Sequence, residues 1–239
     1  MSYFSDLYRL GWKKSSLGYS KFMRNELLTL SRKSAEKKVS IINESGVCFE
    51  KCEKGGVFTF LHFGNFFLSG AAICQILKAK YTAVASKENM EFMNEDEIIF
   101  WNSVYKKANK CYSKNLFFTS EYPKKMIHWI LQGNFLGVAM DVAEHGKKNR
   151  RIPLRFLGQK IFLQNSAARL ARLTGRPIYP MTNLYCPIRK KYKLFLGKPV
   201  QELNDNKTTQ ILLNDIEKRV KGKEYQFFHD IHETFKTNE

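Results

Sequence analysis

Two short segments of this 239-residue chain carry side chains that can move a proton. In the first, His62 directly follows the apolar run Val57–Leu61, and Gly64 and Asn65 come next in a sequence typical of a tight turn. Histidine changes its charge near neutral pH, which suits it to work as a general base. The pattern predicts an imidazole at the carboxyl end of a buried strand, where open α/β sheets bind their substrates.

The second segment follows the apolar run Phe135–Met140 and contains Asp141, Glu144 and His145. Asp141 directly follows the run and is therefore also predicted at the carboxyl end of a strand. Polar groups at equivalent strand ends of one sheet can converge on a single cleft, and this favours a functional Asp141 over an acid that is merely solvated in a loop. For Glu144 and His145 the functional and the solvated interpretations both stay open.

A basic cluster follows this acidic turn and consists of Lys147, Lys148, Arg150, Arg151 and Arg155. Such a cluster beside a candidate site can hold phosphate or carboxylate groups, although a run of charges can also be a solvated face. We predict that Arg150, Arg151 and Arg155 bind substrate, together with Gly64 and Asn65 of the turn after His62.

The charge balance points to an anionic partner. The chain has 40 basic and 22 acidic residues and a formal net charge of +18, which suits nucleic acid, an anionic membrane surface or lipid headgroup, or an acidic carrier protein. The chain has no phosphate-binding Gly-x4-Gly-Lys-Ser/Thr loop, Gly-x-Gly-x-x-Gly turn or Gly-x-Ser-x-Gly elbow. Nucleic-acid binding rests on charge alone. The five scattered cysteines favour a reducing compartment and predict no metal site.

From residue 57 onward, strand-like and helix-like runs alternate, which predicts a mostly parallel sheet flanked by helices in one α/β domain spanning residues 36–239. The predicted strands are 57–61, 81–85, 116–119, 135–140, 151–156, 178–183 and 192–196. The predicted helices are 66–78, 91–107, 120–132, 164–174, 208–220 and 224–236.

Residues 1–35 are predicted to form an N-terminal amphipathic helical segment, in which an aromatic stripe from Tyr3 to Trp12 alternates with basic residues. This pattern is typical of a helix in a membrane interface, but equally of a helix packed on the domain's own core. No stretch approaches the roughly 20 apolar residues of a membrane-spanning helix, so we expect at most peripheral membrane attachment.

Several blocks of the chain together resemble the bacterial lipid A late acyltransferases, the lauroyl and myristoyl transferases. His62-Phe63-Gly64-Asn65 is similar to the opening of that family's active-site motif, and Phe135–Asp141 to its strand ending in Asp. The other similar blocks, in the same order as in the family, are residues 151–158, 168–180 and 225–229. The resemblance runs from about residue 40 to the C-terminus.

The resemblance implies transfer of an acyl group from a thioester on an acidic acyl carrier protein to a hydroxyl of an anionic lipid A-type glycolipid. His62 would be the general base, Asp141 would match the family's second acidic position, and the donor's phosphopantetheine would belong to the carrier, so that the enzyme needs no cofactor. The implied location is peripheral, on the cytoplasmic face of the inner membrane.

Phe67 departs from the family pattern, because the His-x4-Asp/Glu motif places its acid at this position. A phenyl ring cannot accept the imidazole N–H. Three outcomes are therefore open. Another acid, Asp141 or Glu144, replaces the missing one, or the reaction is easier than ordinary acyl transfer. In the third outcome the chain binds lipid or carrier protein without turnover. A divergent motif also suits the branch known from Vibrio, which transfers glycine to lipid A and supports resistance to antimicrobial peptides.

Overall fold

The computed structural model describes residues 13–86, 93–119, 123–141, 151–201 and 204–227. Within these ranges the chain forms seven helices and nine strands. The helices are α1 (Lys13–Leu28), α2 (Arg32–Lys38), α3 (Phe66–Gln75), α4 (Glu95–Cys111), α5 (Pro123–Leu131), α6 (Ser166–Thr174) and α7 (Asp205–Val220). The strands are β1 (Val39–Asn43), β2 (Gly56–Phe60), β3 (Tyr81–Ala85), β4 (Phe117–Phe118), β5 (Phe135–Ala139), β6 (Arg151–Phe156), β7 (Gln159–Gln164), β8 (Ile178–Cys186) and β9 (Lys191–Leu196).

Seven strands form one sheet in the order β1-β9-β8-β2-β5-β3-β4. All neighbouring pairs in this sheet are parallel except β8 and β9, which are antiparallel. The predicted α/β domain with a mostly parallel central sheet is therefore confirmed. Strands β2 and β5 lie inside the sheet and are buried along their whole length, as expected for parallel strands covered on both faces.

Alternate residues of the central strands point to two separate cores. On one face, Phe58 of β2 belongs to a cluster that includes residues from α1, α2, α3 and α4. On the other face, Val57 and Leu136 belong to a cluster formed with residues of α5, α6 and α7. Met23 and Leu27 of α1 are completely buried in the first cluster, so this helix packs as part of the domain core.

Residues 1–12, which carry the predicted aromatic stripe, lie outside the described residues. Among the residues that are described, no helix is long and apolar enough to cross a bilayer.

A hairpin of β6 and β7 stands apart from the main sheet, and its second strand was not predicted. The sequence analysis began a helix at Gln164, whereas the structure continues β7 to this residue and begins α6 at Ser166. The turn joins the strands through Leu157 and Gly158, whose φ angles are 51° and 78°. Two successive positive φ values are typical of the tight turn that favours strand pairing. Such turns usually have Asn, Asp or Gly at the first position, and the leucine found here gave no sign of the turn in the sequence.

Strand β1 was also not predicted, and the last predicted helix differs. Residues 224–226 form a single 3₁₀ turn, and residues 228–239 lie outside the described residues. The predicted helix at 208–220 begins earlier, at Asp205, because Asn204 caps it by accepting hydrogen bonds from two backbone N–H groups.

Candidate active site

The register of two adjacent strands brings His62 and Asp141 side by side. Strands β2 and β5 are parallel, and Phe60 is paired with Ala139. His62 and Asp141 each follow this pair by two residues, so they leave the sheet at the same level of the same edge. Thus the first two residues predicted at strand ends are neighbours in the structure.

Two hydrogen bonds join these residues. The carboxylate oxygen Oδ1 of Asp141 lies 2.7 Å from Nδ1 of the His62 ring, and Oδ2 accepts the backbone N–H of His62 at 2.7 Å. A carboxylate facing Nδ1 favours the tautomer that carries its proton on Nδ1. In this tautomer Nε2 holds the lone pair with which a general base accepts a proton.

The pair is shielded from water to different degrees, because 4% of the Asp141 side chain and 20% of the His62 side chain are exposed. The ring of Phe66, the first residue of α3, stands perpendicular to the imidazole with 4.6 Å between ring centroids. Phe60 makes a second edge contact at 6.2 Å. The carboxylate and the aromatic rings together restrict the imidazole orientation while part of it remains accessible, as a general base requires.

The turn after His62 is built by Gly64 and Asn65. Gly64 has a φ of 60°, and a Cβ atom on it would overlap the carbonyl oxygen of Asn183 in β8. Both the backbone angle and the space therefore require glycine. Asn65 is 1% exposed, and its Oδ1 accepts the N–H of Leu68 at 2.9 Å, which caps α3. The geometry gives Gly64 and Asn65 a structural task; their predicted role in substrate binding stays a prediction.

The sequence analysis assigned no role to Gln226, which holds this turn from the other side. Its carbonyl accepts the N–H of Gly64 at 3.0 Å, and its fully buried side chain forms two hydrogen bonds with the backbone of Tyr185. Phe227 packs on Phe63, with ring centroids 4.7 Å apart. The block at 225–229 was noticed only as a resemblance, and nothing in its local pattern indicates that it contacts the histidine turn.

Phe67 packs in an aromatic cluster between α3 and α4. It is 7% exposed, and its ring lies 6.3 Å from Trp101 and 6.1 Å from Tyr105, measured between centroids. Burial raises the pKa of the Tyr105 hydroxyl to about 12, which shows how poorly this cluster solvates charge. The acid beside Nδ1 is thus supplied by Asp141 at the end of a neighbouring strand.

A cavity of about 360 Å³ lies at the same edge of the sheet. Ala139, two residues before Asp141, forms part of its wall. The rest of the lining comes from the ends of β3, β5 and β7, from Thr119 after β4, and from α5 and α6. Most of it is apolar, with Val84, Met126 and Leu170 among its residues, and its polar members are Ser86, Thr119, Gln164, Ser166 and Arg169. Its volume is within the range of roughly 300–1,000 Å³ that is usual for small-molecule sites.

The remaining predicted residues are not brought to this pair by any described contact. Glu144, His145 and Arg150 lie outside the described residues, and Arg151 opens β6 with its side chain undescribed. Arg155 is exposed on β6, and its backbone N–H and C=O are hydrogen-bonded to the side chain of Gln210 in α7. Phosphate binding by the three arginines stays a prediction.

Comparisons with known proteins identify a family and a fold. Residues 15–237 match the model of a protein family described as bacterial lipid A biosynthesis acyltransferase. A similar solved structure is that of the 1-acyl-sn-glycerophosphate (LPA) acyltransferase PlsC from Thermotoga maritima. It is 13% identical, the match covers 93% of each chain, and the TM-score is 0.50. At this identity the likeness shows a shared fold alone. No protein of curated function matches the chain significantly.

Proposed function

Since the chain belongs to the bacterial lipid A biosynthesis acyltransferase family, we propose that it transfers an acyl group from a carrier-protein thioester to a hydroxyl of a lipid A-type glycolipid. Acyl transfer in general follows from the family. The carrier-protein donor, the anionic glycolipid acceptor and the cytoplasmic face of the inner membrane as the location are parts of the proposal. The net charge of +18 supports it, because donor and acceptor are both anionic.

The observation that carries the proposal is the 2.7 Å contact between Nδ1 of His62 and the buried Asp141 carboxylate. In this arrangement Nε2 accepts the proton of the acceptor hydroxyl as the hydroxyl oxygen attacks the thioester carbonyl carbon. The C–S bond then breaks, and the departing thiolate takes the proton from the imidazolium. The products are an ester and a free thiol on the carrier. Asp141 holds the ring in position and stabilises the transient positive charge.

The cavity favours a fatty acyl group over an aminoacyl group such as glycyl. Its lining is mostly apolar, and it includes Ala139 at the end of β5, the strand that Asp141 follows. Burying an alkyl chain there gains about 0.8 kcal/mol for each methylene removed from water. A glycyl group has no alkyl chain and gains nothing from such a lining.

The second candidate is a binding protein without turnover, and Phe67 is the residue that favours it. In that case the fold would retain affinity for lipid or for a carrier protein, although the motif acid has been lost. The two candidates differ in one measurable respect, which is turnover that depends on His62.

The test is mass spectrometry of lipid A from cells that lack the gene, complemented with the wild-type chain or with His62→Ala. We expect a mass increase equal to a fatty acyl group with the wild type and none with the variant, at equal protein levels. An increase equal to glycine would overturn the fatty acyl assignment. If lipid A is the same in all strains, a lipid A acceptor is refuted and the binding protein becomes the better account.

A further inference from the structure

The turn between β8 and β9 carries a feature that the acyl-transfer site does not use. We call residues 187–191 the β8–β9 tip; all five are exposed, and Ile188 at 94% is the most exposed large apolar residue among those that the structure describes. Three cations follow it directly, Arg189, Lys190 and Lys191. An apolar side chain surrounded by cations is the combination that inserts into an anionic lipid interface.

The strands beneath the tip hold it away from the body of the domain. The ladder between β8 and β9 continues up to the pair of Cys186 and Lys191, so the turn comprises only four residues. Farther down the hairpin, Tyr185 packs against Phe22 of α1 with centroids 4.8 Å apart, and Tyr192 is completely buried. The strands below the tip are therefore well packed and hold Ile188 out in solvent.

The tip points in the same direction as the active site. Strand β8 is parallel to β2, and Thr59 is paired with Pro180. By this register His62 lies level with Asn183, whose carbonyl faces Gly64. Strand β8 continues three residues past that level to Cys186, which is about 10 Å at about 3.3 Å per residue, and Ile188 lies in the turn beyond it. A surface that contacts the tip thus faces the edge of the sheet that carries His62.

The charge around the tip is of one sign. The sequence has no Asp or Glu between Ile178 and Gln201, and Lys193, two residues after the tip, adds a further cation. Beside the strands just below the tip, Glu26 accepts the Tyr192 hydroxyl and is ion-paired with Lys38 at 2.8 Å. This carboxylate is therefore already compensated.

We propose that the β8–β9 tip docks the protein on an anionic lipid bilayer, with Ile188 inserted among the acyl chains and Arg189, Lys190 and Lys191 at the phospholipid headgroups. A bilayer suits the tip better than an acidic protein does. A stable protein interface needs a complementary surface of about 800 Å² on each partner, and a turn with one protruding side chain offers little of that. The docking itself rests on the tip alone; its use, which is to present a membrane acceptor to His62, rests on the proposed function.

The experiment measures binding of the full chain to vesicles of phosphatidylglycerol and phosphatidylethanolamine by co-sedimentation. Each cation near such a surface strengthens binding about fivefold, so replacing Arg189, Lys190 and Lys191 by Gln is expected to lower the partition coefficient about 100-fold. The matched control replaces Lys51, Lys54 and Lys80 by Gln. These three lysines are exposed at the opposite edge of the sheet, so the net charge changes equally. The control is expected to bind within about threefold of the wild type.

Ile188→Ser tests the apolar part. Removing a fully inserted isoleucine is expected to lower partition about 10- to 100-fold. Leu131→Ser is its control, because Leu131 is 48% exposed at the end of α5, near the opposite edge. Circular dichroism and the melting temperature verify that the variants are folded. Equal losses for the tip variants and their controls, or loss of binding to acyl carrier protein instead of vesicles, would overturn the proposal.

His62→Ala separates this proposal from the proposed function. We expect this variant to bind the vesicles as the wild type does, because His62 is not part of the tip. A chain without transfer activity whose tip variants still lose vesicle binding would refute acyl transfer and leave the docking intact. An active chain whose tip variants bind vesicles normally would refute the docking and leave acyl transfer intact.

Discussion

The sharpest test of the proposed mechanism is Asp141→Asn. The amide keeps nearly the same shape, so the buried position stays filled, but the negative charge beside the imidazole is removed. In the structure this charge lies 2.7 Å from Nδ1 on a side chain that is 4% exposed. Water therefore cannot take its place when the imidazolium forms.

The size of the effect follows from these contacts. A hydrogen bond to a charged group contributes about 1.5–3 kcal/mol, and Asp141 makes two such bonds to His62. Only the bond to Nδ1 strengthens as the imidazolium forms, and the Asn oxygen can still accept the backbone N–H, so the lost charge corresponds to roughly 10–10² in kcat. The amide N–H can also donate to Nδ1 and stabilise the wrong tautomer, an effect that costs about 10⁴ in the serine-protease triad. We therefore expect kcat to fall by about 10³–10⁴.

The assay is the initial rate of thiol release from an acyl carrier-protein thioester in the presence of the lipid acceptor. KM for both substrates is expected to stay within about threefold, since Asp141 touches the imidazole and not the substrate. His62→Ala combined with Asp141→Asn is expected to be no slower than His62→Ala alone, because the two residues act as one unit. A kcat within about tenfold of the wild type for folded Asp141→Asn would refute the role assigned to this carboxylate.

Three further substitutions test the surroundings of the pair. Phe67→Glu buries a carboxylate among aromatic rings, so we expect the free energy of unfolding to fall by about 3 kcal/mol or more. We expect the added carboxylate not to restore the transfer rate of Asp141→Asn in the double variant. A restored rate would show that position 67 of α3 can still supply the acid. Gly64→Ala forces a Cβ onto the Asn183 carbonyl and a positive φ on alanine, so we expect a loss of about 2 kcal/mol or more in chemical denaturation; an unchanged midpoint would contradict the described turn. Leu170→Trp narrows the cavity and is expected to lower kcat/KM about tenfold for long-chain donors, with little effect on short-chain donors. The assay uses a series of acyl carrier-protein thioesters of different chain length. An equal effect on all donors would exclude the cavity as the acyl site.

The location of the two reactive residues was predictable because it depends on local pattern. An apolar run that ends in a polar residue predicts a buried strand and its carboxyl end, and this held for both His62 and Asp141. Their direct contact was not predictable, since it requires β2 and β5 to be adjacent and in register. Strand order depends on contacts between distant segments, which one sequence does not reveal.

The supports of the site were beyond sequence analysis for the same reason. Gln226 is 164 residues from His62 in the chain, and a glutamine in a polar C-terminal segment has no local signature of burial. In the structure it is fully buried, and its side chain provides hydrogen-bond partners for the backbone N–H and C=O of Tyr185. Strand β7 was missed because its partner β6 and the intervening turn, rather than its own sequence, determine its pairing.

The departure at Phe67 also gains a physical explanation. The orienting acid must lie within hydrogen-bond distance of Nδ1 of His62, and a phenylalanine at position 67 cannot supply it. In this chain β5 places Asp141 there and bonds it to the backbone of His62 as well as to the ring. A carboxylate at position 67 would be buried among the aromatic rings of α3 and α4, where a charge is poorly solvated. With the acid on β5, the first turn of α3 is free to bury phenylalanine against Trp101 and Tyr105, so the altered motif is compatible with a complete base-and-acid pair.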